Sequence, residues 1–192
     1  MSMPGKEISL AYLDRVGGCL EEIAASKPEA IAGIIFAAWE KGARVFTLGN
    51  GGSAATASHL ANDLAKATAV EGKPRLKACS LADNVPLLTA LANDLGYENA
   101  FVEQLRNLME PGDVVIALTV SGTSPNVVTT VRHARSAGAT VIGLTGCGGG
   151  VLADLVDAGV FLSCSDPGPV EDAHLCLGHL LTYQVRELIR QA

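Results

Sequence analysis

The apolar positions of this chain change period as it proceeds. Between residues 7 and 41 they recur every three or four residues, as Ile8, Leu10, Tyr12, Leu13, Val16, Leu20 and Ile23, then Ile31, Ile34, Ile35, Ala38 and Trp39. That spacing predicts two amphipathic helices, 7–24 and 28–41, broken near Ser26, Lys27 and Pro28. Beyond residue 42 short apolar runs of strand type alternate with helical stretches. The predicted strands are 43–48, 76–80, 113–119, 140–145 and 158–163, and the predicted helices are 53–66, 84–94, 98–109, 124–136 and 170–191. Five strands separated by helices imply an α/β fold, a three-layer αβα sandwich whose parallel sheet is covered on both faces. With 192 residues, and no long repeat, low-complexity tract or linker, a single domain over 1–192 is expected, with its helical N-terminal segment at about 7–41.

Two strand ends stand out. The runs Val45-Phe46-Thr47-Leu48 and Val115-Ile116-Ala117-Leu118 empty into Gly49-Asn50-Gly51-Gly52-Ser53 and Thr119-Val120-Ser121-Gly122-Thr123-Ser124, and each small, hydroxyl-rich loop opens a helix. Such a loop offers backbone N–H groups, hydroxyls and the positive end of a helix dipole to an anion. In the flavodoxin-like strand order 2-1-3-4-5, strands 1 and 3 flank the switch point where ligands bind, so both loops point to one crevice. The chain is built to hold a phosphorylated small molecule.

Composition narrows the partners. A net charge of −6 and 4% aromatic residues provide neither a basic groove nor stacking rings, so no nucleic acid ligand is expected. Cys19, Cys79, Cys147, Cys164 and Cys176 are odd in number and form no C-x-x-C pair, which favours reduced, buried thiols over a disulfide framework or cysteine-bound zinc. No apolar signal segment opens the chain and no stretch reaches the ~20 apolar residues of a membrane span, so a cytoplasmic protein without membrane attachment is expected.

Three of the four histidines fall on two helices. His59 and Asp63 are four apart and share a helix face, where they could ligate a metal, act as an acid/base pair, or simply form a surface hydrogen bond. His174 and His179 are five apart, roughly 140° around a helix, so one of them is a bystander. His133, near Arg132 and Arg135, suits a solvated helix face.

Taken in order, Gly49 to Ser53, His59, Asp63, Asn93-Asp94, Thr119 to Ser124, Leu144-Thr145-Gly146 and the Glu171 to His179 helix resemble the sugar isomerase (SIS) domain family, and within it the phosphoheptose isomerase branch. The resemblance runs from about residue 7 to 191. It implies a zinc-dependent isomerase of a phosphorylated sugar, assembled as a homotetramer with active sites near subunit interfaces. Carried over by position, the zinc ligands are His59, Asp63, Glu171 and His179, which leaves His174 as the bystander. The substrate contacts are Asn50, Gly51, Gly52, Asp63, Asn93, Asp94, Thr119, Val120, Ser121, Ser124 and Glu171, with Ser53, Ser121, Thr123 and Ser124 as the phosphate hydroxyls. The implied reaction converts sedoheptulose 7-phosphate to D-glycero-D-manno-heptose 7-phosphate through an enediol, with Asp63 as base and His179 as acid.

Three positions depart from the family. Asp63 stands where glutamate is usual, Glu171 where glutamine is usual, and Val120 where a threonine-like residue is usual. The resulting zinc shell is more anionic, which would hold the cation more tightly and make it a weaker Lewis acid. Glu171 and His179 are eight residues apart, about 12 Å along a helix, so sharing one zinc requires either a helix that starts after Glu171 or a site shared between subunits. Pro167-Gly168-Pro169 suggests the late start. Three rival readings remain at this point. One is an isomerase of another heptose or octose phosphate. Another is a non-catalytic, DiaA-like SIS scaffold. The third is a dinucleotide site built on Gly49-x-Gly51-x-x-Ala54 with Glu71 as the ribose acid. Finally, the stripes of both N-terminal helices exceed what one small sheet covers, so both are expected to pack between subunits.

Overall fold

A computed structural model describes residues 4–192. Helices α1 (Pro4–Ala25) and α2 (Pro28–Glu40) precede an alternating array: β1 (Arg44–Leu48), α3 (Gly52–Lys66), β2 (Lys77–Ser80), α4 (Val85–Leu95), α5 (Val102–Leu108), β3 (Val114–Thr119), α6 (Pro125–Ser136), β4 (Thr140–Thr145), β5 (Ala158–Phe161) and α7 (Pro167–Gln191). All pairings are parallel and the order is β2-β1-β3-β4-β5, as the sequence predicts. The register aligns Leu48 with Ala117. The loops after β1 and β3 therefore leave the sheet side by side.

The alternation of strand side chains divides the core in two. One layer joins Val45, Ile116, Leu118, Ile142 and Leu144 to Ile31 and Ile35 of α2, Leu60 and Leu64 of α3, and Leu177, Leu181 and Val185 of α7. The other joins Phe46, Leu48, Val115, Ala117 and Val141 to Phe101 just before α5, Leu105 of α5 and Val127 and Val131 of α6. Strand β3 is buried at all six positions, because helices cover it on both sides.

The N-terminal helices behave differently from one another. α2 is covered within its own chain, with Ile31, Ala32, Ile35 and Ala38 buried, so the expected exposed stripe is absent there. α1 keeps Ile8, Leu10 and Leu13 more than half exposed.

Other boundaries moved for local reasons. The predicted helix at 98–109 is a 3-10 turn at Tyr97–Asn99 followed by α5. The stretch Cys147–Asp154, between the predicted strands 140–145 and 158–163, is a 3-10 segment interrupted at Gly148, Gly149 and Gly150, whose positive φ angles no regular helix admits. Most important for the site, α7 begins at Pro167 rather than near Val170, because proline is well suited to a first helical turn. No helix among the described residues is long and apolar enough to cross a membrane.

Candidate active site

The two loops meet as the strand order requires. A Cβ on Gly49 would lie 2.8 Å from the Ser53 backbone and 2.9 Å from the Leu118 carbonyl oxygen, so only glycine lets the first loop pass this close to β3. Asn50 and Asn126 then bridge the loops through a reciprocal amide pair: Asn50 Nδ2 donates to Asn126 Oδ1 at 2.9 Å, and Asn126 Nδ2 donates to Asn50 Oδ1 at 2.8 Å. The Tyr97 hydroxyl adds a third bond, to Asn50 Oδ1, at 2.7 Å. In the second loop Thr119 Oγ1 lies 3.3 Å from Ser124 Oγ and 3.5 Å from Ser121 Oγ.

Together these loops floor a cavity of about 400 Å³ lined by Asn50, Ser53, Thr119, Val120, Ser121 and Ser124, with Cys147, Ser165, Pro167 and Glu171 forming its far wall. Ser53 sits in the first turn of α3 and Ser124 precedes the first turn of α6, so two helix N-termini face the cavity. No lining residue is basic and Glu171 is the single acidic one. Affinity for an anion must come from hydroxyls, backbone N–H groups and helix dipoles.

The second constellation lies where α3 crosses α7. His59 Nε2 is 3.3 Å and His179 Nε2 is 3.7 Å from Asp63 Oδ2, and the two imidazole nitrogens are 3.1 Å apart. Asn62 Nδ2 donates to the other Asp63 oxygen, Oδ1, at 3.2 Å. Neighbouring donors around a tetrahedral zinc held at about 2.0–2.2 Å stand about 3.3–3.6 Å apart, so these three atoms match one face of such a shell. Two histidine nitrogens and a carboxylate oxygen are also a donor set that zinc accepts. A cavity of about 310 Å³, lined by these three residues with Ala67, Thr182 and Tyr183, opens beside them.

The remaining expected residues divide clearly. Glu171 is not in this cluster. It lies half-buried on the loop cavity with its carboxyl group against Gly52, where a Cβ would fall 2.1 Å from Oε2. Because α7 is continuous from Pro167, the late helix start that would have let Glu171 and His179 share a zinc within one subunit does not occur. Asn93 and Asp94 are exposed on α4, bonded to each other at 2.7 Å and lining neither cavity. Gly51, Gly52 and Thr123 shape the loops without lining the cavity, and the Thr123 N–H donates to Ser121 Oγ at 3.2 Å. Glu71 is exposed in the connection between α3 and β2, six residues before that strand begins, so it cannot serve as a ribose acid at a strand end.

His174, the expected bystander, is 1% exposed, and neither of its ring nitrogens makes a well-formed hydrogen bond. Burial lowers its pKa to about 4, with the Thr145 backbone acting weakly in the opposite direction, so it is neutral at physiological pH. Sequence reasoning missed Asn126, Tyr97, Cys147 and Ser165. Asn126 had a readable signal, a polar amide in the first turn after Ser124-Pro125; the others reach the site only through tertiary packing.

Comparison with known proteins identifies the family. The SIS domain profile matches residues 11–146. The chain is 38% identical over 175 residues to the phosphoheptose isomerase of Rhodospirillum rubrum, covering 91% of this chain and 90% of that one. It is 37% identical over 183 residues to the phosphoheptose isomerase of Aquifex aeolicus, covering 95% and 91%. The solved structure of phosphoheptose isomerase GmhA from Neisseria gonorrhoeae superposes with a TM-score of 0.87 at 25% identity, over 96% of this chain and all of that one. Matching in profile, in sequence along nearly its whole length and in fold, this chain belongs to the SIS domain family, in its phosphoheptose isomerase branch.

Proposed function

We propose that this isomerase converts D-sedoheptulose 7-phosphate to D-glycero-D-manno-heptose 7-phosphate with the help of zinc held by His59, Asp63 and His179. The observation that supports the metal is the convergence of three donor atoms, all within 4.8 Å of one another, from two helices that the core locks together. The loop cavity takes the phosphate through Ser53, Ser121 and Ser124 at the N-termini of α3 and α6, while Asn50, Thr119 and Glu171 face the polyol chain. Thr123, Gly51, Gly52 and Val120 shape that cradle, and Asn93 and Asp94 stay assigned to substrate from a surface that a neighbouring subunit completes.

Turning a ketose into an aldose removes a proton from C1 and delivers one to C2, with a second proton moving between the two oxygens. Asp63 carries the carbon-bound proton. Its Oδ2 faces both histidines, while Oδ1, which among the described residues accepts only from Asn62, is the oxygen left to act as base. His179 serves the oxygen proton. When bound, zinc supplies a Lewis acid that polarises the carbonyl and its neighbouring hydroxyl.

We further propose a homotetramer in the cytoplasm, where phosphorylated sugars are retained. The exposed Ile8, Leu10 and Leu13 of α1 and Tyr183 of α7, beside the metal cluster, support packing between subunits. A shared site is also the remaining way for Glu171 to join a zinc shell. The acidic Glu171 in the cavity favours one second reading, another heptose or octose phosphate as the preferred substrate. Turnover of a panel of ketose phosphates by zinc-loaded protein tests both: fastest conversion of sedoheptulose 7-phosphate supports the first, and faster conversion of another sugar selects the second.

A further inference from the structure

Four side chains on α1, Tyr12, Arg15, Cys19 and Glu22, are spaced 3, 4 and 3 residues apart and so share one helical face. Each meets the stretch that runs from the end of β5 into the first turns of α7, in reverse order. The Tyr12 hydroxyl donates to Asp172 Oδ2 at 2.5 Å. Arg15 Nε lies 3.3 Å from Asp166 Oδ2. The buried Cys19 thiol contacts that of Cys164; burial and this neighbour raise its pKa to about 11, which keeps it a neutral thiol. Glu22 accepts from the Ser163 backbone N–H at 2.7 Å and from Ser163 Oγ at 2.6 Å. The Tyr12 ring also closes over Gly168, where a Cβ would be 3.2 Å from the ring.

Interleaved with these anchors are Ser165, Pro167 and Glu171, which form much of the far wall of the loop cavity. The anchoring bonds to α1 come from their neighbours Ser163, Asp166 and Asp172. Their position is set by the residues on either side, and those are held by α1.

We infer that α1 is the strap that fixes the 165–171 wall of the substrate cavity, and that Glu22, through its paired bonds to Ser163, is a positioning residue for substrate binding. It touches no reacting atom and lies outside the His59, Asp63 and His179 cluster. Loosening it widens the cavity while leaving the acid/base groups in place. This inference rests on the proposed substrate, so its test includes a readout independent of turnover.

Zinc-loaded wild type, Glu22→Ala and Glu22→Gln are compared in steady-state kinetics with sedoheptulose 7-phosphate, and in iodoacetamide labelling of Cys164 followed by mass spectrometry, with Cys79 and Cys176 as internal controls. Glu22→Ala is expected to raise KM about 10-fold with kcat within about twofold, and to speed Cys164 labelling at least about fivefold relative to the controls. Glu22→Gln, which keeps an acceptor for the Ser163 N–H but loses the charge, is expected to stay near wild type in both. An unchanged Cys164 labelling rate in Glu22→Ala overturns the strap whether or not the substrate is correct. With the wild type active, an unchanged KM, or a fall in kcat that tracks lost thermal stability, overturns the positioning role. A wild type inactive on this sugar but with faster Cys164 labelling in Glu22→Ala sinks the substrate and leaves the strap standing.

Discussion

His59 Nε2 and His179 Nε2 face each other 3.1 Å apart across the contact between α3 and α7, with Asp63 Oδ2 completing the triangle. Two imidazoles can sit this close because one can donate while the other accepts, or because a cation lies between them. A cation that binds the folded cluster and not the unfolded chain stabilises the fold by mass action, about 2.7 kcal/mol at a hundredfold excess over Kd. Chelator-treated protein is therefore expected to melt several degrees lower and to recover on adding zinc, measured by thermal unfolding with elemental analysis. His59→Ala and His179→Ala are each expected to lose both the bound zinc and the shift.

The amide pair between Asn50 and Asn126 ties the two loops together, and Asn126 is 2% exposed. Truncation to alanine leaves the Asn50 amide nitrogen without its acceptor, with only the Tyr97 hydroxyl still bonded to Asn50 Oδ1, and opens a small void. Asn126→Ala is expected to cost about 1–3 kcal/mol in urea unfolding and to raise KM for the sugar phosphate more than it lowers kcat.

Gly52 and Gly122 offer a paired contrast. At Gly122, φ is +66° and a Cβ would fall 2.1 Å from the Gly149 carbonyl oxygen, so strain and collision with backbone act together. At Gly52 the obstacle is the end of the Glu171 side chain, which can swing away. Gly122→Ala is expected to destabilise the protein by at least about 2 kcal/mol. Gly52→Ala is expected to remain nearly as stable as wild type while weakening substrate binding, because displaced Glu171 enters the cavity.

His174 predicts an acid limb in stability. Its folded pKa of about 4 lies below the 6.5 of an unperturbed histidine, so between these values the unfolded chain binds the extra proton. Stability is full above pH 6.5 and falls as pH drops toward 4, by about 1.4 kcal/mol per pH unit and on the order of 3 kcal/mol in all. His174→Leu, which also removes two buried ring nitrogens that make no well-formed hydrogen bond, is expected to flatten that limb in unfolding measured from pH 4.5 to 8.

Much of this layout is legible in the sequence. The continuous apolar run through β3 marks a strand covered on both faces, and the glycine and hydroxyl residues behind β1 and β3 mark the cavity floor, because burial pattern and loop chemistry are local properties. His59 and Asp63, four residues apart on α3, could be paired from spacing alone. Convergence of His179 on them depends on how α3 crosses α7, which no local pattern records. Glu171 illustrates the limit most clearly. The family resemblance implies a zinc ligand there, yet the proline at 167 starts α7 early enough to turn it toward the loops instead. The far wall, with Cys147 and Ser165, comes from segments whose approach is set by glycine φ angles and by α1 rather than by hydrophobic period.

The central claim is proton transfer by Asp63 beside a bound metal, and sugar C–H signals followed by NMR in deuterated water test it most directly. With zinc-loaded wild type and sedoheptulose 7-phosphate, the account predicts an aldoheptose 7-phosphate carrying deuterium at C2, abolished by chelation and slowed at least about 100-fold in Asp63→Asn. Product formed at near-normal rate by Asp63→Asn, or product without deuterium at C2, would contradict it.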